Sequence, residues 1–450
     1  MKTVPTFLDA TEEQLRLHGV QDCTVCVGLS GGIDSIVLLD VLGSHAAAHG
    51  LGLSAVHVNH GLSPHAGDWE TFCRGICAAE GVPLTVKRVS VARRGEGLEA
   101  AAREARFAAF SSVRCDYLAL AHNQDDQAET LLLQLLRGAG AKGLSAMPVV
   151  RDWFAPAGAT AAKGPAKLLR PLLDVLRSEI LDYARARQLA WMEDESNTDV
   201  SLDRNFLRHE VFPLIVRRYP AVNRTLARAA RNLADAALLA DAIGEIDWQT
   251  AATAEGLHAD VLRDVGVARA LNLLRGLFAL KGQAAPHRSA LEEGLRQCLH
   301  ARSDAQVRVA FGKYSLRRYR GIVQLVDDGQ PPPGWTVPWQ GENELPLPAP
   351  LGRLRFRSDA NAGISRARLE RTAVSVRGRR GGERIAPGPG RPRRELKHLL
   401  QEMGTPPWER SHIPLLFCGE TLAWVPGVGI APEFRARPGE DAMEVSWDRQ

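Results

Sequence analysis

The sequence predicts an α/β chain: a parallel-sheet domain with helices on both faces, then a helical domain, then a small α+β domain. Three observations carry that prediction. Over the first two hundred residues short apolar runs alternate with amphipathic helical stretches, as strands joined by crossover helices do. From Val211 to Leu280, Ala, Leu and Arg recur at helical spacing with no strand signal. After Leu351 a basic, Gly-rich stretch leads into the apolar runs 413–418 and 421–425.

In chain order, 24–29 reads as a strand, followed by a Gly-rich turn and a helix over 34–42. Residues 53–58 and 84–89 form the second and third strands, each a β-branched or Leu-rich run of strand length. A helix over 98–113 precedes a fourth strand at 117–121, with a helix over 126–137 behind it. A last unit begins with 168–171 and continues as a helix over 175–187. Residues 327–350 hold seven prolines and read as a linker. The expected domains are therefore 1–212, 213–326, the linker 327–350, and 351–450.

Composition narrows the class. With 45% hydrophobic and 24% charged residues the chain can bury a core, which excludes a wholly disordered protein. No apolar run reaches the length of a membrane span, and the first residues lack the apolar region of a signal peptide. Seven cysteines scattered over 450 residues make no disulfide framework. The expectation is a cytoplasmic protein with no membrane partner.

The net charge of +4 conceals an asymmetry. Between Arg353 and Lys397 stand fourteen basic residues against four acidic ones, so this segment carries +10 and the remainder −6. Such density suits a phosphate backbone, whose neutralisation releases counterions. A solvated Arg-rich face is the plain alternative.

Ser30-Gly31-Gly32-Ile33-Asp34-Ser35, between a strand and a helix, is the most informative segment. Two glycines let backbone N–H groups converge on an anion, and the helix adds its positive dipole end. Ser30 and Ser35 offer hydroxyls. Asp34 would repel phosphate, so a cation, Mg²⁺, is expected between them. A tight strand-to-helix turn with Asp34 as N-cap is the structural alternative. The spacing is not that of G-x-x-x-x-G-K-[ST]. It resembles the PP-loop signature SGGxDS of the ATP-pyrophosphatase superfamily.

A second cluster, His122-Asn123-Gln124-Asp125-Asp126-Gln127-Ala128-Glu129, follows the fourth strand. Neighbouring parallel strands end on one edge, so it can face the first loop across the switch-point crevice. Helix capping explains one carboxylate here; three beside a phosphate loop fit metal or amine ligands better. The helix ends in Arg137-Gly138-Ala139-Gly140-Ala141-Lys142-Gly143-Leu144, with Gly138 suited to C′.

Together these stretches resemble the tRNA(Ile)-lysidine synthetase family. Further matches are His57-Val58-Asn59-His60-Gly61-Leu62, Gly97-Leu98-Glu99-Ala100-Ala101-Ala102-Arg103, Arg170-Pro171-Leu172-Leu173, Glu193-Asp194-Glu195-Ser196-Asn197 and Arg204-Asn205-Phe206-Leu207-Arg208. Residues 396–430 also resemble the last domain of longer members. One departure is Ser63-Pro64, where the family often continues with Arg; it removes one expected phosphate or tRNA contact.

The resemblance implies a PP-loop ATPase domain, a tRNA-binding middle domain and a basic tRNA-recognition domain at the end. It implies ligation of L-lysine to C2 of the wobble cytidine of the CAU-anticodon isoleucine tRNA. ATP is the co-substrate, Mg²⁺ the cofactor, and homodimerisation is left open. The reaction would pass through an adenylated cytidine, releasing pyrophosphate and then AMP. Ser30, Gly31, Gly32, Ile33, Asp34, Ser35, His57, Arg103 and His122 would bind ATP, with Asp34 and Asp125 on the metal. Asp34, Asp126, Glu129, Arg204 and Arg208 would carry the chemistry: Asp126 and Glu129 toward the lysine amine, the two arginines toward the adenylated intermediate.

Other patterns yield to plainer readings. His57 and His60 would point to opposite faces of a strand end, which argues against zinc. Cys23 and Cys26 diverge for the same reason, and Cys73 and Cys77 fit a buried helix face, so sulfur transfer finds no support. Arg106 reads as a salt-bridged surface residue. Two competing classes remain: another PP-loop enzyme, such as a tRNA thiolase or amidotransferase-type synthetase, and a non-enzymatic RNA-binding protein.

Overall fold

The computed structural model describes residues 7–61, 63, 65–91, 98–153, 165–193, 199–302, 307–359 and 363–449. Two compact units, Met1–Ala240 and Asp241–Gln450, divide the chain.

In the first unit α1 (Phe7–Leu17) precedes β1 (Thr24–Gly28), α2 (Ile33–His49), β2 (Gly52–Asn59), α3 (Ala66–Ala79) and β3 (Leu84–Arg88). Then come α4 (Leu98–Phe110), β4 (Tyr117–Ala119), α5 (Gln124–Leu136), α6 (Ala141–Leu144), β5 (Val150–Asp152), β6 (Lys167–Leu169) and α7 (Arg177–Ala186). The strand order is β3-β2-β1-β4-β6-β5. Five strands run parallel, while β5 pairs antiparallel with β6 through Val150 and Leu169. That edge hairpin was not expected, because a three-residue strand shows no period.

Both faces of the sheet are covered. Val25, Val27 and Leu29 join α2, α3 and α7 in one core, and Cys26 with Val56 and Leu118 meets Phe110 of α4 in another. Strands buried on both sides read as continuous apolar runs rather than alternating ones. Helix α2 runs seven residues past the expected Leu42. Gly43 takes no left-handed turn, and the helix stops only at Gly50, whose φ is +62°.

Beyond β6 and α7, α8 (Asp203–Phe206) passes through a wide π-turn at Leu207–Val211 into α9 (Phe212–Arg218). The 30-residue α10 (Val222–Ala251) follows.

The second unit departs from the helical expectation. The strand β7 (Leu257–His258) leads into α11 (Ala259–Asp264), α12 (Gly266–Leu280) and α13 (Arg288–His300). A meander β8 (Val307–Phe311), β9 (Tyr314–Tyr319), β10 (Ile322–Asp327) completes a sheet of order β7-β10-β9-β8. Val307, Val309 and Phe311 pack on α12 and α13 while Arg308 and Ala310 face out, a period-two signal in the sequence. The turn at Arg320-Gly321 has φ of +48° and +79°, the geometry of a two-residue hairpin.

The proline-rich stretch 327–350 is not only a connector: it carries the strands Thr336–Trp339 and Glu344–Pro346. Both lie at sheet edges, where Pro338 and Pro346 need donate no ladder hydrogen bond. Arg353–Asp359 pairs with Ala442–Asp448, and Val374–Arg377 with Leu415–Cys418, and a helix at Leu396–Glu402 packs beside them. This is the expected α+β end.

Candidate active site

Sheet order reverses between β1 and β4, and the loops leaving both strands carry the candidate residues. After β1 the chain turns through Gly31, whose φ is +89°. A Cβ there would lie 3.1 Å from the Trp69 ring and 3.2 Å from Cys73 Sγ, so the position requires glycine twice over. The turn closes on Ser35. Its Oγ accepts from the N–H groups of Ser30 and Gly31, each at 3.2 Å, and donates to the Gly32 carbonyl at 2.9 Å. Converging N–H groups that find only a hydroxyl oxygen form an anion cradle. Ile33 opens α2 and is buried in the core.

Asp34, in the first turn of α2, accepts from Asn123 Nδ2 at 3.0 Å through Oδ1; Oδ2 has no partner among the described residues. Burial pushes its pKa up and Asp126 adds to this, while Arg177, Asn123 and Arg208 offset part of it. A half-buried carboxylate with an open oxygen beside an anion cradle fits a cation. No group of three or more His, Cys, Asp or Glu side chains arranged for a metal occurs among the described residues, so the remaining ligands would be water and substrate oxygen.

Asn123 links the two loops and was missed as a site residue. It caps α5: its side chain accepts from the Asp126 N–H, and Asp126 Oδ2 accepts from the Asn123 N–H at 2.9 Å. The capping pair is thus Asn123 and Asp126. An N-x-x-D spacing before the helix was the signal available.

Asp126 and Glu129 meet Arg204 and Arg208. Arg204 Nε lies 2.7 Å from Glu129 Oε2 and its Nη2 2.8 Å from Asp126 Oδ1. Arg208 Nε lies 2.7 Å from Glu129 Oε1 and its Nη2 3.1 Å from Asp126 Oδ1. The π-turn beginning at Leu207 holds Arg208, and such turns cluster at functional sites. Burial works to raise the Asp126 pKa, but the Arg204 guanidinium, the Asn123 N–H and Arg208 outweigh it and hold the group below its ordinary value. All four residues singled out from the sequence therefore meet in one ionic cluster.

Asp125 does not join them. Its Oδ2 accepts from the Arg177 N–H at 2.7 Å and its Oδ1 from Asn223, so both oxygens face α7 and α10 rather than the Asp34 side. His57 lies behind the loop, buried, with Nδ1 on the Leu29 carbonyl at 2.9 Å and 3.5 Å from Cys73 Sγ. Arg103 packs over the Phe107 ring and acts electrostatically on His122 and Arg170. Burial drives the His122 pKa down to about 3. The motif 193–197 lies, apart from Glu193, outside the described residues, as do Leu62, Pro64 and Gly97.

The seven cysteines are free thiols. Burial pushes Cys73 up to about 12 and Cys77 up to about 11, so neither forms a thiolate near neutrality.

The comparisons with known proteins cover the chain. The model of a PP-loop domain matches residues 8–215, that of the TilS substrate binding domain residues 257–323, and that of the TilS substrate C-terminal domain residues 374–447. The chain is 45% identical over 423 residues to the tRNA(Ile)-lysidine synthase of Nitrosomonas europaea, spanning 94% of this chain and 91% of that protein. It is 42% identical over 424 residues to the protein of the same name from Azoarcus sp. (strain BH72), again 94% and 91%. Among solved structures, the U34-tRNA thiolase NcsA from Methanococcus maripaludis with its 4Fe-4S cluster aligns over 50% of this chain and 78% of its own, with a TM-score of 0.42 and 18% identity.

Proposed function

The chain belongs to the tRNA(Ile)-lysidine synthase family, and from that membership we propose that it joins L-lysine to C2 of the wobble cytidine of the CAU-anticodon isoleucine tRNA, using ATP. It is a carbon–nitrogen ligase built on a PP-loop domain. The observation that carries the finer reading is the bridge from Asp34 through Asn123 to Asp126, which ties an anion cradle to a buried carboxylate pair in one crevice.

The proposed reaction has two steps. In the first, the cytidine O2 attacks the α-phosphate of ATP, an O–P bond forms, and pyrophosphate leaves. The N–H groups of Ser30 and Gly31 exchange the Ser35 hydroxyl for phosphate oxygens, at little reorganisation cost because they already converge. Asp34 would hold Mg²⁺ through its open oxygen, and the bound ion supplies charge neutralisation on the departing pyrophosphate. Asp125, engaged on both oxygens, is left out of that role.

In the second step the lysine ε-amine attacks C2 of the adenylated cytidine, an N–C bond forms, and AMP departs with the oxygen. The amine must first lose a proton, which Asp126 or Glu129 accepts. Arg204 and Arg208 occupy those carboxylates beforehand and move onto the adenylate phosphate as the ammonium takes their place.

Incubation with ATP, labelled lysine and unmodified CAU-anticodon tRNA tests the reading. Label is expected in the RNA, with AMP and pyrophosphate released in equal amounts. Absence of label, or sulfur transfer in its place, overturns it.

A further inference from the structure

We propose that Arg170 is a positioning residue that fixes His122 as a neutral donor, its proton on Nε2, at the nucleotide side of the crevice. This deepens the function proposed above and rests on it only for the identity of the ligand.

Arg170 leaves the end of β6 and is 3% exposed. Its Nη1 donates to the Pro148 carbonyl at 2.9 Å and its Nε to His122 Nδ1 at 3.2 Å. No carboxylate pairs with it among the described residues, although a buried guanidinium ordinarily has one. A guanidinium carries donors only and keeps its proton, so the imidazole nitrogen it addresses must present a lone pair. His122 is therefore uncharged, and its proton resides on Nε2.

The surrounding charges make that state durable. Asp126 on α5 faces the ring and favours imidazolium; Arg170 beyond β6, Arg204 on α8 and Arg103 on α4 oppose it. Burial and the three guanidiniums prevail, and Arg170 itself, lowered to about 10 by burial, stays charged at neutral pH. An imidazolium would compete with Arg204 and Arg208 for Asp126 and loosen the ionic cluster. Kept neutral, His122 leaves the cluster intact and offers one N–H, which has no acceptor among the described residues. Lying between guanidiniums and one residue before Asn123, that N–H suits an anionic oxygen of the nucleotide, a phosphate oxygen, rather than proton transfer.

The test uses the full chain labelled with ¹⁵N-histidine, the His122 signals being assigned by their loss in His122→Gln. Wild-type protein is expected to show the Nε2–H tautomer and no titration across the range of about pH 5 to 8 in which histidines usually change charge. In Arg170→Gln the ring should titrate toward its ordinary range. The tRNA-dependent ATP–pyrophosphate exchange should fall away on the acid side at a higher pH than in wild type and recover on the alkaline side; Arg170→Lys should restore the wild-type profile. An Nδ1–H tautomer or a titrating ring in wild type overturns the proposal without need of any variant. So does an Arg170→Gln protein equally impaired at every pH with its His122 signals unmoved. The spectroscopic arm needs no tRNA, so its failure leaves the ligase reading standing, and failed lysine incorporation leaves the tautomer result standing.

Discussion

Asp34 shows at the scale of one residue how a site can work against the fold that holds it. Burial, and after it the Asp126 charge, raises its pKa over that of the unfolded chain. A group with a raised carboxylate pKa binds more protons folded than unfolded, so its stabilisation is present at low pH and lost as pH rises through the folded value. At neutral pH the ionised carboxylate therefore weighs against the native state. Asp34→Asn keeps an acceptor for Asn123 and removes the charge. We expect tRNA-dependent ATP–pyrophosphate exchange to vanish while the Tm at neutral pH holds or rises; retained exchange would strip Asp34 of its cation role. Glu129 is instead paired on both oxygens by two arginines. That pairing was not readable from the chain, because its partners stand 75 and 79 positions away.

At the scale of the element, the loop between β1 and α2 was legible because its chemistry is local. Its glycines nevertheless have different tasks, which only the backbone reveals. Gly31 adopts a left-handed φ against Trp69 and Cys73, whereas Gly32 has a φ of −76° and nothing nearer than 3.6 Å to an added Cβ. Gly31→Ala should therefore cost about 1–3 kcal/mol, the usual range for a residue forced into a disfavoured backbone region. Gly32→Ala should leave thermal stability nearly unchanged. Equal Tm values for the two variants would mean that the loop refolds around the new side chain. Helix α5 makes the complementary point: its carboxylates were found by composition, but capping sends Asp126 inward and Asp125 onto α7 and α10.

At the scale of the whole molecule, the +10 segment is less free than its composition implied. Arg353 and Arg355 pair with Glu344 and Asp448, Arg393 with Glu433, and Arg394 with Glu402, all carboxylates outside the segment. Arg380, Arg391 and Lys397 are exposed and form no ion pair among the described residues. Reversing these three to Glu should weaken tRNA binding and lower the slope of log K against log salt by roughly 0.7–0.9 for each phosphate left without its cation. Reversing Arg353 and Arg355 should instead lower stability. Titrations of binding at several salt concentrations, beside thermal unfolding, separate the two sets. An unchanged slope after the triple reversal would return the segment to a solvated face.

The order of strands and helices around the phosphate loop, the acidic and basic motifs, and the family they belong to were all legible in the chain. These are properties of short windows, where period, turn chemistry and helix capping act over a few residues. What those residues touch depends on the folded chain: Asn123 joining the loops, Asp125 turned away, Arg170 against His122, and arginines of the basic segment neutralised by distant carboxylates. The strands β8 to β10 lie in a stretch read as helical, although the alternation at 307–311 was legible there. Such pairings depend on which faces the sheet and helices bring together, and a charge reveals its partner only after the chain between them has folded.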